Sequence, residues 1–404
     1  MHVTLLKNFT LVINVIFIAL ITQQANAIEL TETDFVKTLS VPTADKAASI
    51  DFNITLPPSY YKKPNKRYVV IFDLHPRSQP YLSGLHDWMS HNGDWPWLET
   101  IVVTPRGYSE QLGALKTLGE GDEVNVAGTK LLNFLEKGVF KAVDDEYRSN
   151  GFRIFNGFTG NATLGLYTLL NRPELFNAYI LASPILSDNY GNILLDAKAK
   201  LKKISGKTRT VFLSTSDSNY EQAQLAGFAE LTEIIAAEKS AALDITIKRF
   251  DGSYYMSQPA LAAVYGIEAI FNDYHQTLKP DSIISLGGPK AILKHYKYLS
   301  EKKYGLKVSA EGTLKALAFS KLESTPEEAI EILKIAVQQY PESAYAHQGL
   351  AKAYFELQQF EKAVARQKIA VEKSMSMIPW HQRKHQQYLE QYQASLTTSP
   401  TETK

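Results

Sequence analysis

Short apolar runs alternate with amphipathic stretches through the first two thirds of this chain. Residues 50–56 (IDFNITL) alternate apolar and polar side chains, the pattern of a half-buried strand, and Pro57-Pro58 ends it. Residues 67–74 (RYVVIFDL) and 100–104 (TIVVT) are nearly continuous apolar runs, as strands buried on both faces require. Further strands are expected at 152–155, 178–182, 210–213 and 245–250. Between them, residues 129–140 place Leu131, Leu132, Leu135, Val139 and Phe140 at helical spacing, and 163–170, 225–238 and 260–271 also read as helices. Alternating strands and helices predict an α/β fold, a doubly wound, mostly parallel sheet covered on both faces. Ligands of such sheets sit at the carboxyl ends of the strands.

Beyond Lys279 no strand-like run remains. Leu350, Ala351, Tyr354, Ala363 and Ala370, and one unit earlier Ala329, Ala336 and Pro341, fall at the small and aromatic positions of tetratricopeptide-like units, whose period is ~34 residues. So few repeats rarely stand alone, which predicts packing against the α/β domain or another chain. At the other end, Lys7, an apolar stretch from Phe9 to Ile21 and Ala25-Asn26-Ala27 form a signal-peptide pattern. The expected organisation is a signal peptide at 1–27, the α/β domain at 28–278, a helical connector at 279–309, an all-α repeat region with a capping helix at 310–395 and a disordered tail at 396–404. Export predicts a periplasmic or secreted protein, with no membrane contact beyond that signal.

Composition narrows the chemistry. A net charge of +1 gives no support for a nucleic-acid surface, and the absence of cysteine excludes disulfides, thiolate metal sites and cysteine nucleophiles. No cofactor motif stands out. His86, Asp87, His91 and Asp94 lack the spacing that puts two histidines on one helix face, and His381 and His385 have it without a third ligand, so no metal is expected.

The stretch Asn156-Gly157-Phe158-Thr159-Gly160-Asn161-Ala162 lies between a strand and a helix. That is the setting of a nucleophile elbow, G-x-S-x-G, which lifts a serine hydroxyl above the end of a sheet. Here the nucleophile position reads Thr and the last glycine reads Asn. Together with Asn171-Arg172-Pro173-Glu174-Leu175-Phe176 and Ala182-Ser183-Pro184, this order resembles the esterase family of α/β hydrolases that includes esterase D-type and enterochelin-type siderophore esterases. The resemblance continues through residues 250–257 (FDGSYYMS), His295-Tyr296 and Tyr304-Gly305 into the repeats. It implies that Thr159 stands where the family has its serine and Tyr255 where it has its histidine. The acid falls at Asp217 or Glu221, and the oxyanion pocket at Gly160 with Leu74 and His75 of the loop Asp73-Leu74-His75-Pro76.

Acyl transfer needs a base near neutral pKa. About one tyrosine in a thousand is phenolate at pH 7, which costs roughly 4 kcal/mol. A β-branched threonine is also stiff at a turn that suits a small residue. Two losses at two essential positions predict a degenerate triad and a non-catalytic binding or scaffold protein. It would offer a pocket for an ester-like or glycan-like small ligand, with 310–395 free for a protein or peptide partner. The alternative is a working carboxylic or siderophore ester hydrolase that uses Thr159 as nucleophile, with His75 as substitute base. Ser183, in its Ser-Pro context, reads as a turn cap.

Overall fold

The computed structural model describes residues 35–91, 97–108, 112 and 122–398. The signal peptide expected at 1–27 lies outside them. Eight strands form one mixed sheet in the order β1-β2-β4-β3-β5-β6-β7-β8. They are β1 (Val36–Pro42), β2 (Ser49–Thr55), β3 (Tyr68–Asp73), β4 (Thr100–Pro105), β5 (Ser149–Phe158), β6 (Ala178–Ala182), β7 (Arg209–Thr215) and β8 (Leu243–Arg249). From β4 to β8 the pairing is parallel; β1 and β2 are added antiparallel at one edge. β1 was not expected from the sequence. Only Leu39 and Val41 of its residues are buried, so its apolar signal is that of an exposed edge.

The helices are α1 (Ser78–His91), α2 (Asp122–Phe134, extended by a π-helical turn over Leu135–Phe140 and a further α-helical stretch over Lys141–Glu146), α3 (Gly160–Asn171), α4 (Ile193–Lys200), α5 (Leu225–Glu238) and α6 (Gln258–His275). α1 carries Pro80 and Gly84 and too few apolar residues to show a period. The period-two alternation of the parallel strands sends successive residues to opposite faces. Val70, Phe72, Phe155, Leu181 and Leu213 join the core beneath α2 to α5. Val69, Ile71, Ile154, Ile180 and Phe212 join a second core with Leu82 of α1 and Ile267 and Phe271 of α6.

That second core does not stop at the α/β domain. It runs on through Ile292 of α7 (Gly288–Tyr298) and Tyr304 to Leu314 and Leu317 of α8 (Glu311–Lys321). Tyr304 is 1% exposed, stacks on Phe271 with ring centroids 5.8 Å apart, and donates its hydroxyl to the Ile270 carbonyl at 2.9 Å. Beside it the buried Lys303 ammonium bonds to Asp273 of α6 at 2.6 Å and Asp244 of β8 at 3.0 Å. The extension therefore packs on the sheet domain, one of the two arrangements expected. It continues as α9 (Pro326–Gln339), α10 (Ala344–Glu356), α11 (Phe360–Lys373) and α12 (Pro379–Thr398). Ala329, Ala336, Ala351, Ala363 and Ala370 are all fully buried, so the helices of each hairpin approach closely. α12 closes the stack and runs to Thr398, past the start of the tail expected at 396.

Because Tyr304 sits where the extension meets the sheet domain, Tyr304→Ala should cost about 3–5 kcal/mol. In urea unfolding followed by circular dichroism, the transition should move to lower denaturant as one event. Separate transitions for the two parts, with the sheet domain unmoved, would contradict the shared core.

Candidate functional site

β5 ends and α3 begins at Thr159, whose backbone sits at φ 55°, ψ −119°. This is a strained conformation for any residue with a Cβ, and more so for a β-branched one. It is held by neighbours on both sides. The Thr159 amide donates to the Ala182 carbonyl of β6 at 2.9 Å, and its carbonyl accepts from the Thr163 amide at 3.0 Å. Thr163 is fully buried; its hydroxyl accepts from the Ile185 amide at 2.8 Å and donates to the Ile185 carbonyl at 3.0 Å, tying α3 to the loop after β6. Gly157 lets the strand and helix meet. A Cβ there would lie 2.6 Å from the Asn161 carbonyl carbon and 2.7 Å from its oxygen, both backbone atoms. The elbow expected from the sequence is thus built with threonine at its corner.

No imidazole bonds to the Thr159 hydroxyl among the described residues. His75 is exposed and turned to its own loop: its Nδ1 accepts from the Arg77 amide at 3.2 Å, and its Nε2 lies 3.3 Å from the Tyr108 hydroxyl. Partial desolvation of the ring, aided by the Arg77 charge, holds its pKa below the usual histidine value. His86 is buried against Trp97 with its Nδ1 on the Leu82 carbonyl, and is a core residue.

Tyr255 follows β8 and begins the turn into α6. Its half-buried ring lies between Phe158, the residue before Thr159, at 5.0 Å and Tyr220 at 5.2 Å between ring centroids. Burial, and after it the negative charge of Glu221, raises its pKa above the ordinary phenol value. The phenol keeps its proton even more firmly than a free tyrosine does.

Both candidate acids lie in the loop after β7. Glu221 is 1% exposed and surrounded by donors: the Ser183 hydroxyl at 2.7 Å, the Ser216 hydroxyl at 2.9 Å, the Ser216 amide at 3.0 Å and the Thr215 hydroxyl. None of these is cationic. Asp217 is exposed and accepts from the Gly252 amide at 2.8 Å, steadying the loop that carries Tyr255. Ser183 is therefore more than a turn cap: at φ 50° it turns its hydroxyl inward onto Glu221.

On the other side of the elbow, the expected oxyanion loop follows β3. Leu74 is buried and Gly160 is the first residue of α3. The His75 amide donates at 2.8 Å to Asp73, which is 1% exposed. Asp73 also accepts from Asn156 at 2.6 Å, and the same Asn156 nitrogen reaches the Tyr81 hydroxyl at 2.9 Å. Burial pushes the Asp73 carboxyl up to about 6 against these bonds. Sequence reasoning passed over this network. Its one local signal was a polar Asn156 in an apolar strand directly before the elbow. A large groove, about 1270 Å³, lies elsewhere, between Val41, Phe134 and Lys130, and includes no elbow residue.

Solved structures place this geometry among known folds. An uncharacterised protein from Capnocytophaga ochracea DSM 7271 matches with a TM-score of 0.62 and 14% identity, covering 89% of this chain and 99% of its own. An IroE-like serine hydrolase from Shewanella oneidensis matches with a TM-score of 0.56 and 18% identity, covering 76% of this chain and 99% of its own. The fold is an α/β-hydrolase fold. Residues 322–367 match the tetratricopeptide repeat family, so the extension carries the repeat that its spacing predicted. No curated protein matches the chain. Within this hydrolase fold, Thr159 occupies the elbow and Tyr255 the turn after the last strand.

Two outcomes follow. Gly157→Ala forces apart two backbone segments that cannot yield cheaply, and should lower stability by about 1–3 kcal/mol or more, read as a fall in Tm. An unchanged Tm would mean that the close approach is not obligatory. For Asp73, the folded state holds a proton that the unfolded chain releases near the ordinary carboxyl value of 3.8. Stability should therefore fall as pH rises from about 4 to about 6 and level off above, by up to roughly 3 kcal/mol. Asp73→Asn should flatten that slope in urea unfolding measured across the window; an unaltered slope would assign it to other groups.

Proposed function

We propose that this chain is an exported hydrolase-fold protein that holds a small ligand above the elbow without turning it over. In this reading the repeats at 310–395 contact a protein or peptide partner. The observation that carries the reading is Tyr255. Its ring stands beside the elbow, next to Phe158, and its phenol is held protonated by burial and by Glu221. A protonated phenol donates a hydrogen bond and takes no proton from a neighbouring hydroxyl. Among the described residues no imidazole bonds to Thr159, and His75 is bonded into its own loop. The bond from the His75 amide to Asp73 points the same way, because it occupies a donor of the expected oxyanion loop.

A second reading has one observation in its favour. The strained elbow at φ 55°, ψ −119° persists with a threonine in it, and such strain is commonly kept where it serves a site. That reading is a carboxylic or siderophore ester hydrolase with Thr159 as nucleophile.

A fluorophosphonate probe on the mature protein, beside a panel of short-acyl and catecholate esters, separates the two. The expected result is neither labelling nor turnover. Labelling abolished by Thr159→Ala would overturn the proposal and establish the hydrolase. In the double variant Thr159→Ser with Tyr255→His, hydrolysis should rise roughly 10²-fold over the wild-type background, the low end of what a positioned base contributes. No gain in a variant that folds normally would count against a site that lacks only these two groups.

A further inference from the structure

The loop after β7 and the turn after β8 expose an aromatic surface beside the elbow. Tyr220 is 79% exposed, Tyr254 88% and Met256 74%, unusual values for large apolar side chains placed together. Tyr220 stacks one face on Tyr255 at an interplanar angle of 29°, and Tyr255 packs in turn on Phe158. The three rings form a row that leads from solvent to the residue next to Thr159.

The charges around this row have one dominant sign. Asp217, Glu221 and Asp251 all act on the single guanidinium of Arg249. That guanidinium is already held by both carboxylate oxygens of Asp251, at 2.9 and 3.0 Å. Among the described residues neither Asp217 nor Glu221 is ion-paired. Glu221 is satisfied by hydroxyls and one amide alone. An imidazole at position 255 would be able to carry positive charge beside this carboxylate; the tyrosine is uncharged and packs between Phe158 and Tyr220.

Exposed aromatic faces next to unpaired carboxylates attract organic cations, because the ring quadrupole and the carboxylate charge act in the same sense. We propose that the outward face of Tyr220, backed by its stack on Tyr255, forms with Asp217 and Glu221 of the same loop a binding site for an alkylammonium head, quaternary in its best fit. The site rests on the non-catalytic reading above, since it uses the position where a catalytic base would stand. The head can belong to a free small molecule or to a methylated lysine of a peptide; the chemistry recognised is the same.

The test is isothermal titration of the full mature chain with choline, with a short trimethyl-lysine peptide, and with 3,3-dimethylbutan-1-ol, the uncharged isostere of choline. Either cation should bind at least about tenfold more tightly than the alcohol, and the tighter of the two identifies the source. Tyr220→Leu keeps an apolar side chain at an exposed position, so it should fold normally; it should weaken cation binding about tenfold and leave the alcohol unchanged. Asp217→Asn should weaken the cation several-fold and reduce its salt dependence. Equal binding of alcohol and cation, or no cation binding by the folded wild-type protein, would overturn the proposal. Failure here leaves the absence of turnover intact, whereas labelling of Thr159 by the fluorophosphonate would remove the reading on which both stand.

Discussion

The close contact between β5 and α3 at Gly157 is the constraint on which the site depends. It leaves no room for a Cβ, and two residues on the chain turns through the conformation seen at Thr159. A threonine in that conformation is strained, and the bonds to Ala182 and through Thr163 to Ile185 are what keep it there. The corner is preorganised as in a hydrolase. Among the described residues, no imidazole bonds to the hydroxyl it presents.

The two loops that meet at this corner are closed by hydroxyl and aromatic contacts. In the loop after β7, Glu221 is buried among hydroxyls from Ser183, Thr215 and Ser216 instead of facing an imidazole. In the turn after β8, Tyr255 fills the remaining space by packing between Phe158 and Tyr220. Aromatic packing and a buried carboxylate reinforce one another here, because each makes loss of the phenolic proton less favourable. On the opposite side, Asp73 draws the His75 amide into a buried network with Asn156 and Tyr81. The sheet and the extension share a core that continues from Phe152 and Phe271 to Tyr304 and beyond.

Much of the fold was legible because its signals are local. The parallel strands are short apolar runs, α5 and β6 match their expected limits, and the repeat helices announce themselves by alanines at fixed spacing. The elbow was legible for the same reason, since Gly157, Thr159 and Asn161 are neighbours. β1 and α1 were missed because one is an exposed edge and the other buries few residues through a sparse apolar pattern. The wiring of the site was hidden because it joins distant positions. Asn156 meets Asp73 across 83 residues, and Ser183 meets Glu221 across 38. Asp217 and Glu221 stand four residues apart in one loop, so only their burial distinguishes a loop anchor from the charge that acts on Tyr255.

The proposed function depends on Tyr255, the residue proposed to stand at the base's position, keeping its proton. Carbon-13 NMR titration of protein labelled at the tyrosine Cζ, with Tyr255 assigned by its loss in Tyr255→Phe, measures this directly. The account predicts a midpoint for that phenol above the ordinary value of 10. A midpoint near neutrality would give Thr159 a phenolate base and contradict it.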